Sequence, residues 1–403
     1  MSASILKKSG SDIVILAAQR TPLTRSVKGG LAKLYPEELL YEVLRGTLEK
    51  SNIDPNLVDD VLIGTVLQTL GGQKASALAV KKVGFPVKTT INTINRQCAS
   101  SAQAVTYQAG SLNSGENQFV IAAGVESMTH DYFPHRGIPV RINQAFKSDA
   151  SDEAQNVLMP MGITSENVAS KYGISRLDQD KFAVESHLKA AKATESGHFA
   201  KEIIPISARV TELEDPNIQY KLIAQDDGIR ANSTVERLSS LKPVFTEDGT
   251  TTAGNSSQIS DGASAVFLTT RDNATKLGIK PIARFIGSAV AGVPSAFMGI
   301  GPSEAIPQLL NRLKLSTSDI DIFELNEAFA SQSIYCIEKL GLDYDKVNPY
   351  GGAIALGHPL GATGGRIVAT LINGLKSQNK QLGVLSMCTS TGQGYAGLIA
   401  NED

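Results

Sequence analysis

The chain has 403 residues, of which 42% are hydrophobic, enough for sizeable cores and for two or three domains of ordinary size. Lysine and arginine number 38 against 40 aspartates and glutamates, leaving a net charge of −2, so no general field favours nucleic acid or an anionic membrane. The longest apolar runs, such as residues 14–18, are strand-sized and far too short to span a bilayer.

Residues 1–11 are polar, carry Lys7 and Lys8, and lack the apolar stretch of a secretory signal. Residues 12–18 read as a buried strand. Residues 36–50 read as a helix, with Leu39, Leu40, Val43, Leu44 and Leu48 on one face. A strand at 61–64, a helix at 74–83 and a strand at 90–94 follow. After Cys98, small residues place Ala99, Ala102, Val105, Ala109 and Leu112 on one helical face, before an apolar strand at 119–124. The order then recurs: strand at 282–286, helix at 303–313, strand at 319–325, helix at 328–339. A glycine-rich turn opens a helix at about 362–375, and a strand closes the half at 383–387. The first strands of the two halves lie about 270 residues apart and the last about 264, which predicts a duplicated pair of α/β units. Residues 129–251 between them are charged and irregular, with one amphipathic helix at 176–197. An insertion of that size is expected to be a ligand cover, or else a tolerated surface insertion.

Three cysteines in such a chain predict free thiols in a reducing compartment. Cys98 follows a strand where a helix begins. Unpaired N–H groups and the helix dipole there favour a thiolate, the nucleophilic form, and can also hold an oxyanion. Cys388 ends the last strand and enters a Gly/Ser/Thr turn, a place for a thiol acid or base. For each, a buried structural cysteine is the alternative. His358 lies in the glycine-crowded loop 351–365, before a helix as Cys98 is, and its ionisation range suits proton transfer. Asn326 follows a strand, where it can cap the next helix or hold a water or an oxyanion. The glycine loops match neither phosphate-loop nor dinucleotide spacing. No ligand cluster at metal spacing is present, so no metal site is inferred.

Four segments, Asn95-Arg96-Gln97-Cys98, Asn326-Glu327-Ala328-Phe329, residues 351–361 and the Cys388 turn, together resemble the thiolase family, in its order and over essentially the whole chain. Residues 159–167 and 251–262 add two further matches. The resemblance implies an α/β fold of two duplicated βαβαβαββ-type domains in a layered α/β/α/β/α arrangement. The N-terminal domain would span 1–128, with 252–281 returning to it, and the C-terminal domain 282–403. A loop domain, 129–251, would cover coenzyme A. It also implies a homodimer or a tetramer, and coenzyme A as substrate with no permanent cofactor. Neither nucleic acid nor membrane is an expected partner.

By the same resemblance His358 takes the Cys98 proton, and Cys98 attacks the keto carbon of a 3-ketoacyl-CoA. Cys388 protonates the acetyl-CoA enolate, whose oxygen is held by His358 and by a water on Asn326. The backbone N–H groups of Cys98 and Ser390 form a second oxyanion hole. Coenzyme A is expected against Arg230, Ser257, Ala253, Met161 and Ser390. Arg237 is a further basic candidate, with a solvated surface charge as the alternative for both arginines.

Pro160, where the short-chain biosynthetic branch carries histidine, together with residues 299–302 and 321–324, is similar to the degradative peroxisomal branch. That branch implies an acyltransferase of fatty-acid β-oxidation. Alternatives are a condensing acetoacetyl-CoA enzyme and a non-catalytic acyl-CoA or lipid-binding protein. The C-terminal residues are not a Ser-Lys-Leu-type address, so the peroxisome is expected from the branch alone, with the cytosol as alternative. Three positions depart from the family pattern: Ser101 and Ser390 replace glycine, and Gln393 replaces methionine. At 390 glycine permits φ > 0 beside the substrate, so serine there is expected to add bulk and to lower or shift activity.

Overall fold

The structure is a computed structural model and describes residues 5–134 and 142–402. The first half runs β1 (Ile13–Arg20), the short β2 (Thr24–Arg25), α1 (Pro36–Ser51), β3 (Asp60–Gly64), α2 (Gln73–Val83), β4 (Thr90–Ile94), α3 (Ser100–Ser114) and β5 (Phe119–Ser127). The chain then leaves the sheet for α4 (Met161–Tyr172), α5 (Arg176–Glu195) and a hairpin of β6 (Ile206–Arg209) and β7 (Tyr220–Ile223), and returns with β8 (Ser260–Thr270). The second half runs β9 (Ala283–Gly292), α6 (Gly301–Arg312), β10 (Ile322–Leu325), α7 (Ala330–Leu340), α8 (Thr363–Ser377), β11 (Leu382–Thr389) and β12 (Gln393–Asn401).

Among the described residues the main sheet has the order β10-β11-β12-β9-β1-β8-β5-β3-β4, with β2 beside β8. Its middle is a seam. β1 and β9 share only the pairs Val14↔Arg284 and Ile15↔Ala283. Outward from that seam the two sides repeat: β1-β8-β5-β3-β4 on one, β9-β12-β11-β10 on the other. Where the first side has β4 parallel to β3, the second has a single parallel bridge, Phe323↔Val347.

Strands such as β1, β5 and β11 read as continuous apolar runs because helices cover both faces. Alternate residues split cleanly. Ile15, Val120, Ala122, Val266 and Leu268 face a central cluster with α3 and α8, while Val14, Ile121, Ala123 and Phe267 face an outer cluster with α1 and α2. On the other side Leu385, Met387 and Tyr395 face the same central cluster, and Val384, Leu398 and Ala400 face α6 and α7. Five layers result, α/β/α/β/α, with α3 and α8 as the middle one. The small face of α3 expected from sequence is that contact, since Ala99, Ala102, Val105, Ala109 and Leu112 all lie in the central cluster. The two middle helices approach closely enough that a Cβ at Gly364 would stand 2.3 Å from the Ala102 nitrogen.

Some features differ from expectation. The excursion holds a second long helix, α4, which packs on α7 and on residues Ser295–Ile300. Gly162, Ile163 and Thr164 give α4 a weak helical signature of their own, so tertiary packing decides it. β8 and β12 are long central strands made largely of small residues. Asn326 does not cap a helix: α7 begins at Ala330, with Phe329 at its cap.

Candidate active site

Cys98 lies where β4 hands over to α3. Gln97 is held at φ +48°. The Arg96 N–H donates to Ser100 Oγ at 2.9 Å, and that hydroxyl donates to the Gln97 carbonyl at 2.6 Å. These bonds tie the loop to the first turn of α3 and leave Cys98 only 3% exposed. Leu67, Met128 and Leu360 pack around it, with Val66 and Tyr132 at the edge. Its own N–H and that of Ser390 are directed at the sulfur. The expected ease of thiolate formation is not met, because burial wins. It pushes the Cys98 thiol up to about 12, against the pull of those two N–H groups and aided by the negative charge of Glu126. The resting group is a thiol.

Cys388, the penultimate residue of β11, and Ser390, in the turn to β12, come from the other half. Cys388 is fully buried with Met298, Ala328 and Phe329, and Met161 packs at the edge of that cluster. Burial, then the proximity of Cys98, raises its thiol well above the ordinary range. Cys336 is the structural one of the three: it sits in the α7 core face, its sulfur directed at the Gly299 carbonyl at 3.5 Å.

His358 precedes α8 as Cys98 precedes α3. Its N–H reaches the Gln258 carbonyl at 3.0 Å and Ser260 Oγ at 3.2 Å. Nδ1 lies 2.6 Å from Thr363 Oγ1, and that hydroxyl donates to the Pro359 carbonyl at 3.0 Å. One hydroxyl carries one proton, so the consistent assignment has Nδ1–H donating to Thr363 and leaves a lone pair on Nε2. Burial, then the Arg366 cation, lowers His358 to about 3, so the imidazole rests neutral. Asn326 Nδ2 stands 3.4 Å from Nε2. Asn326 Oδ1 is buried with no protein partner, and such an oxygen takes its bond from substrate or solvent.

The residues expected around coenzyme A fall into two places. The Ser257 N–H donates to the Ala328 carbonyl at 3.0 Å, and Met161 borders the Cys388 cluster, so both lie beside the second thiol with Ser390. Arg230 and Ala253 are exposed on the excursion, and the Arg230 N–H donates to His187 Nδ1 at 3.2 Å. Arg237 is exposed too, its guanidinium donating to the Asn232 carbonyl at 3.2 Å.

Each departure from the family pattern has a local answer. Ser101 Oγ accepts the Gly365 N–H at 2.9 Å, which joins the first turns of the two middle helices. Ser390 does not occupy the left-handed region. The turn is made by Thr391 at φ +72° and Gly392 at φ +80°, so residue 390 has no need of glycine's freedom. Gln393 Oε1 accepts from Arg96 Nη1 at 2.6 Å, which ties the turn carrying Ser390 to the loop carrying Cys98.

Two residues escaped the sequence reading. Thr363, which fixes the His358 tautomer, looks like an ordinary small residue in a glycine loop. Glu126 is fully buried at the end of β5. Its only sequence signal is a carboxylate ending an otherwise apolar and small strand.

A duplicated α/β frame that holds two neighbouring buried thiols, one from each half, and a buried neutral imidazole fits a class, the acyltransferases. Residues 13–272 match the thiolase N-terminal domain and residues 279–401 the thiolase C-terminal domain. The chain is 48% identical to the peroxisomal 3-ketoacyl-CoA thiolase 2 of Arabidopsis thaliana, over 98% of this chain and 85% of that protein. It is similar to the dimeric peroxisomal thiolase of Saccharomyces cerevisiae, with a TM-score of 0.91, 42% identity, and coverage of 99% of this chain and 100% of that one. The human mitochondrial 3-ketoacyl-CoA thiolase in complex with CoA gives a TM-score of 0.87 at 34% identity, covering 97% of this chain and 98% of that one. The chain belongs to the thiolase family.

Proposed function

We propose that the protein cleaves 3-ketoacyl-CoA with coenzyme A, through an acyl-Cys98 intermediate, to acetyl-CoA and a shortened acyl-CoA in peroxisomal fatty-acid β-oxidation. The observation that carries this reading is the meeting of Cys98, on the first half, with the Ser390 N–H and Cys388 from the second. His358 Nε2 accepts the Cys98 proton as the sulfur attacks the keto carbon. The N–H groups of Cys98 and Ser390 hold the oxyanion that forms there, and one such donor is typically worth about 10²–10³ in rate. The Cα–Cβ bond breaks toward Cα, and the Cys388 thiol protonates that carbon. The proton gained by His358 makes Nε2 a donor to the enolate oxygen, alongside a water on Asn326. Coenzyme A then passes its thiol proton to the Cys388 thiolate and takes the acyl group. The Cys98 sulfur leaves and recovers its proton from His358.

A neutral imidazole beside an un-ionised thiol suits this sequence, because both charges appear only as the reaction begins. The excursion, taken as a domain over residues 129–251, is the cover for coenzyme A, with Arg230 near the nucleotide and Ser257, Ala253, Met161 and Ser390 along the thiol arm. Coenzyme A is a substrate, no permanent cofactor is needed, and the protein works as a homodimer. No helix among the described residues is long and apolar enough to cross a membrane.

The test is loss of the ketoacyl thioester when the protein meets coenzyme A with either acetoacetyl-CoA or a long-chain 3-ketoacyl-CoA. Turnover of the long chain is the expected result. Turnover of acetoacetyl-CoA alone points to the biosynthetic branch, and turnover of neither overturns the enzyme reading.

A further inference from the structure

Glu126 ends β5 inside the protein, and its carboxylate collects backbone N–H groups from two separate loops. Oε2 accepts from Val66 at 3.1 Å and from Gly361 at 2.9 Å, and Oε1 accepts from Leu67 at 3.1 Å. Two walls of the Cys98 pocket hang on these bonds. Leu67 is itself a wall residue, and Gly361 follows Leu360, which is another. Gly361 is also three residues beyond His358, and there is no slack where it docks: a Cβ there would stand 2.6 Å from the Gly64 carbonyl and 2.7 Å from that of Val125. The loop that carries the base is thus moored to the ends of β3 and β5 through one carboxyl group.

We propose that Glu126 is a positioning residue for the reaction, which holds the His358 loop and the loop after β3 against Cys98 and, when ionised, opposes loss of the Cys98 proton. The inference rests on Cys98 as nucleophile and His358 as base. Burial raises Glu126 to about 8, against the three N–H groups and aided by Asp131, so its charge changes within the working range of pH. The other charged and titratable groups near this corner are Asp131, Cys98 itself, and Asp261 on the neighbouring β8, which accepts from Ser127 and Thr129; His358, three residues from Gly361, stays neutral.

Two variants, Glu126→Gln and Glu126→Asp, test it by steady-state thiolysis and by iodoacetamide labelling of Cys98 followed by peptide mass spectrometry. Labelling needs no turnover. In the wild type the logarithm of the labelling rate should rise with pH, flatten through about pH 8 as Glu126 ionises, and rise again. In E126Q it should rise as one straight line, and kcat should fall ~10-fold or more with KM for coenzyme A little changed, as loss of alignment predicts. E126D keeps the charge and should keep the flattening, yet lose kcat because its shorter arm cannot reach both loops. Wild-type kcat in either folded variant overturns the proposal. So does a lowered kcat in E126Q with the flattening retained, which marks a structural role only. A wild type that labels as described but never turns over overturns the assigned reaction and leaves the role of the Glu126 charge standing.

Discussion

Cys98 and His358 each rest neutral, and that changes what a helix N-terminus does here. Its N–H groups do not produce a standing thiolate, because desolvation at a 3% exposed site outweighs them. They are placed for the charge that appears later, on the oxyanion. The three departures from the family pattern bear on this setting differently. Ser390 keeps the N–H that matters and lies outside the left-handed region. Gln393 adds a bond between the two halves. Ser101 supplies an acceptor to Gly365, an N–H in the first turn of α8, where helices lack internal partners. Ser101→Gly therefore leaves a buried donor unmet and puts glycine into α3. We expect a loss of about 1–3 kcal/mol, measured as a lower midpoint in urea unfolding. An unchanged or higher midpoint would show that the bond contributes nothing.

At the scale of elements, α1, α2, α3, α6, α7 and α8 were legible because each buries one face and repeats at helical spacing. The all-apolar strands β1, β5 and β11 were legible as runs. β8 and β12 were not. Ser260, Asp261, Gly262, Ala263 and Ser264 have little strand preference of their own, as do Gly394, Ala396 and Gly397. They become strands because partners flank them on both sides, β8 between β1 and β5, β12 between β9 and β11. Of the site, Cys98, His358 and Asn326 stood out because each sits in a loop next to an element, and Cys388 because it lies where a strand runs into a Gly/Ser/Thr turn. Glu126 and Thr363 act through backbone atoms and ring nitrogens that only the fold brings near them, so spacing could not reveal them.

The whole molecule is a pair of similar halves packed through the middle helices α3 and α8, and the candidate site takes Cys98 from one half and Ser390 and Cys388 from the other. Folding buries ionisable groups of both kinds, which fixes how stability depends on pH. Burial lowers His358 to about 3 and His187 to about 4, and it lowers His198 as well. Below an unfolded value near 6.5 the unfolded chain takes protons that the native protein refuses, so these groups cost stability as pH falls from about 6.5 toward 4. Burial raises Glu126 and Glu324 to about 8, and raises Glu327 and Asp261 too. Native carboxyls then hold protons that the unfolded chain has lost, so stability falls as pH rises from about 4.5 to 8. The melting temperature should peak at about pH 5–6 and decline on both sides. A profile that rises steadily to pH 8 contradicts this balance of buried groups.

The reaction assigned to this site leaves one covalent trace. Protein mixed with a long-chain 3-ketoacyl-CoA in the absence of coenzyme A, quenched in acid and digested, should carry the shortened acyl group on the Cys98 peptide, and added coenzyme A should clear it. No adduct under these conditions, or one found on Cys388 instead, contradicts the account.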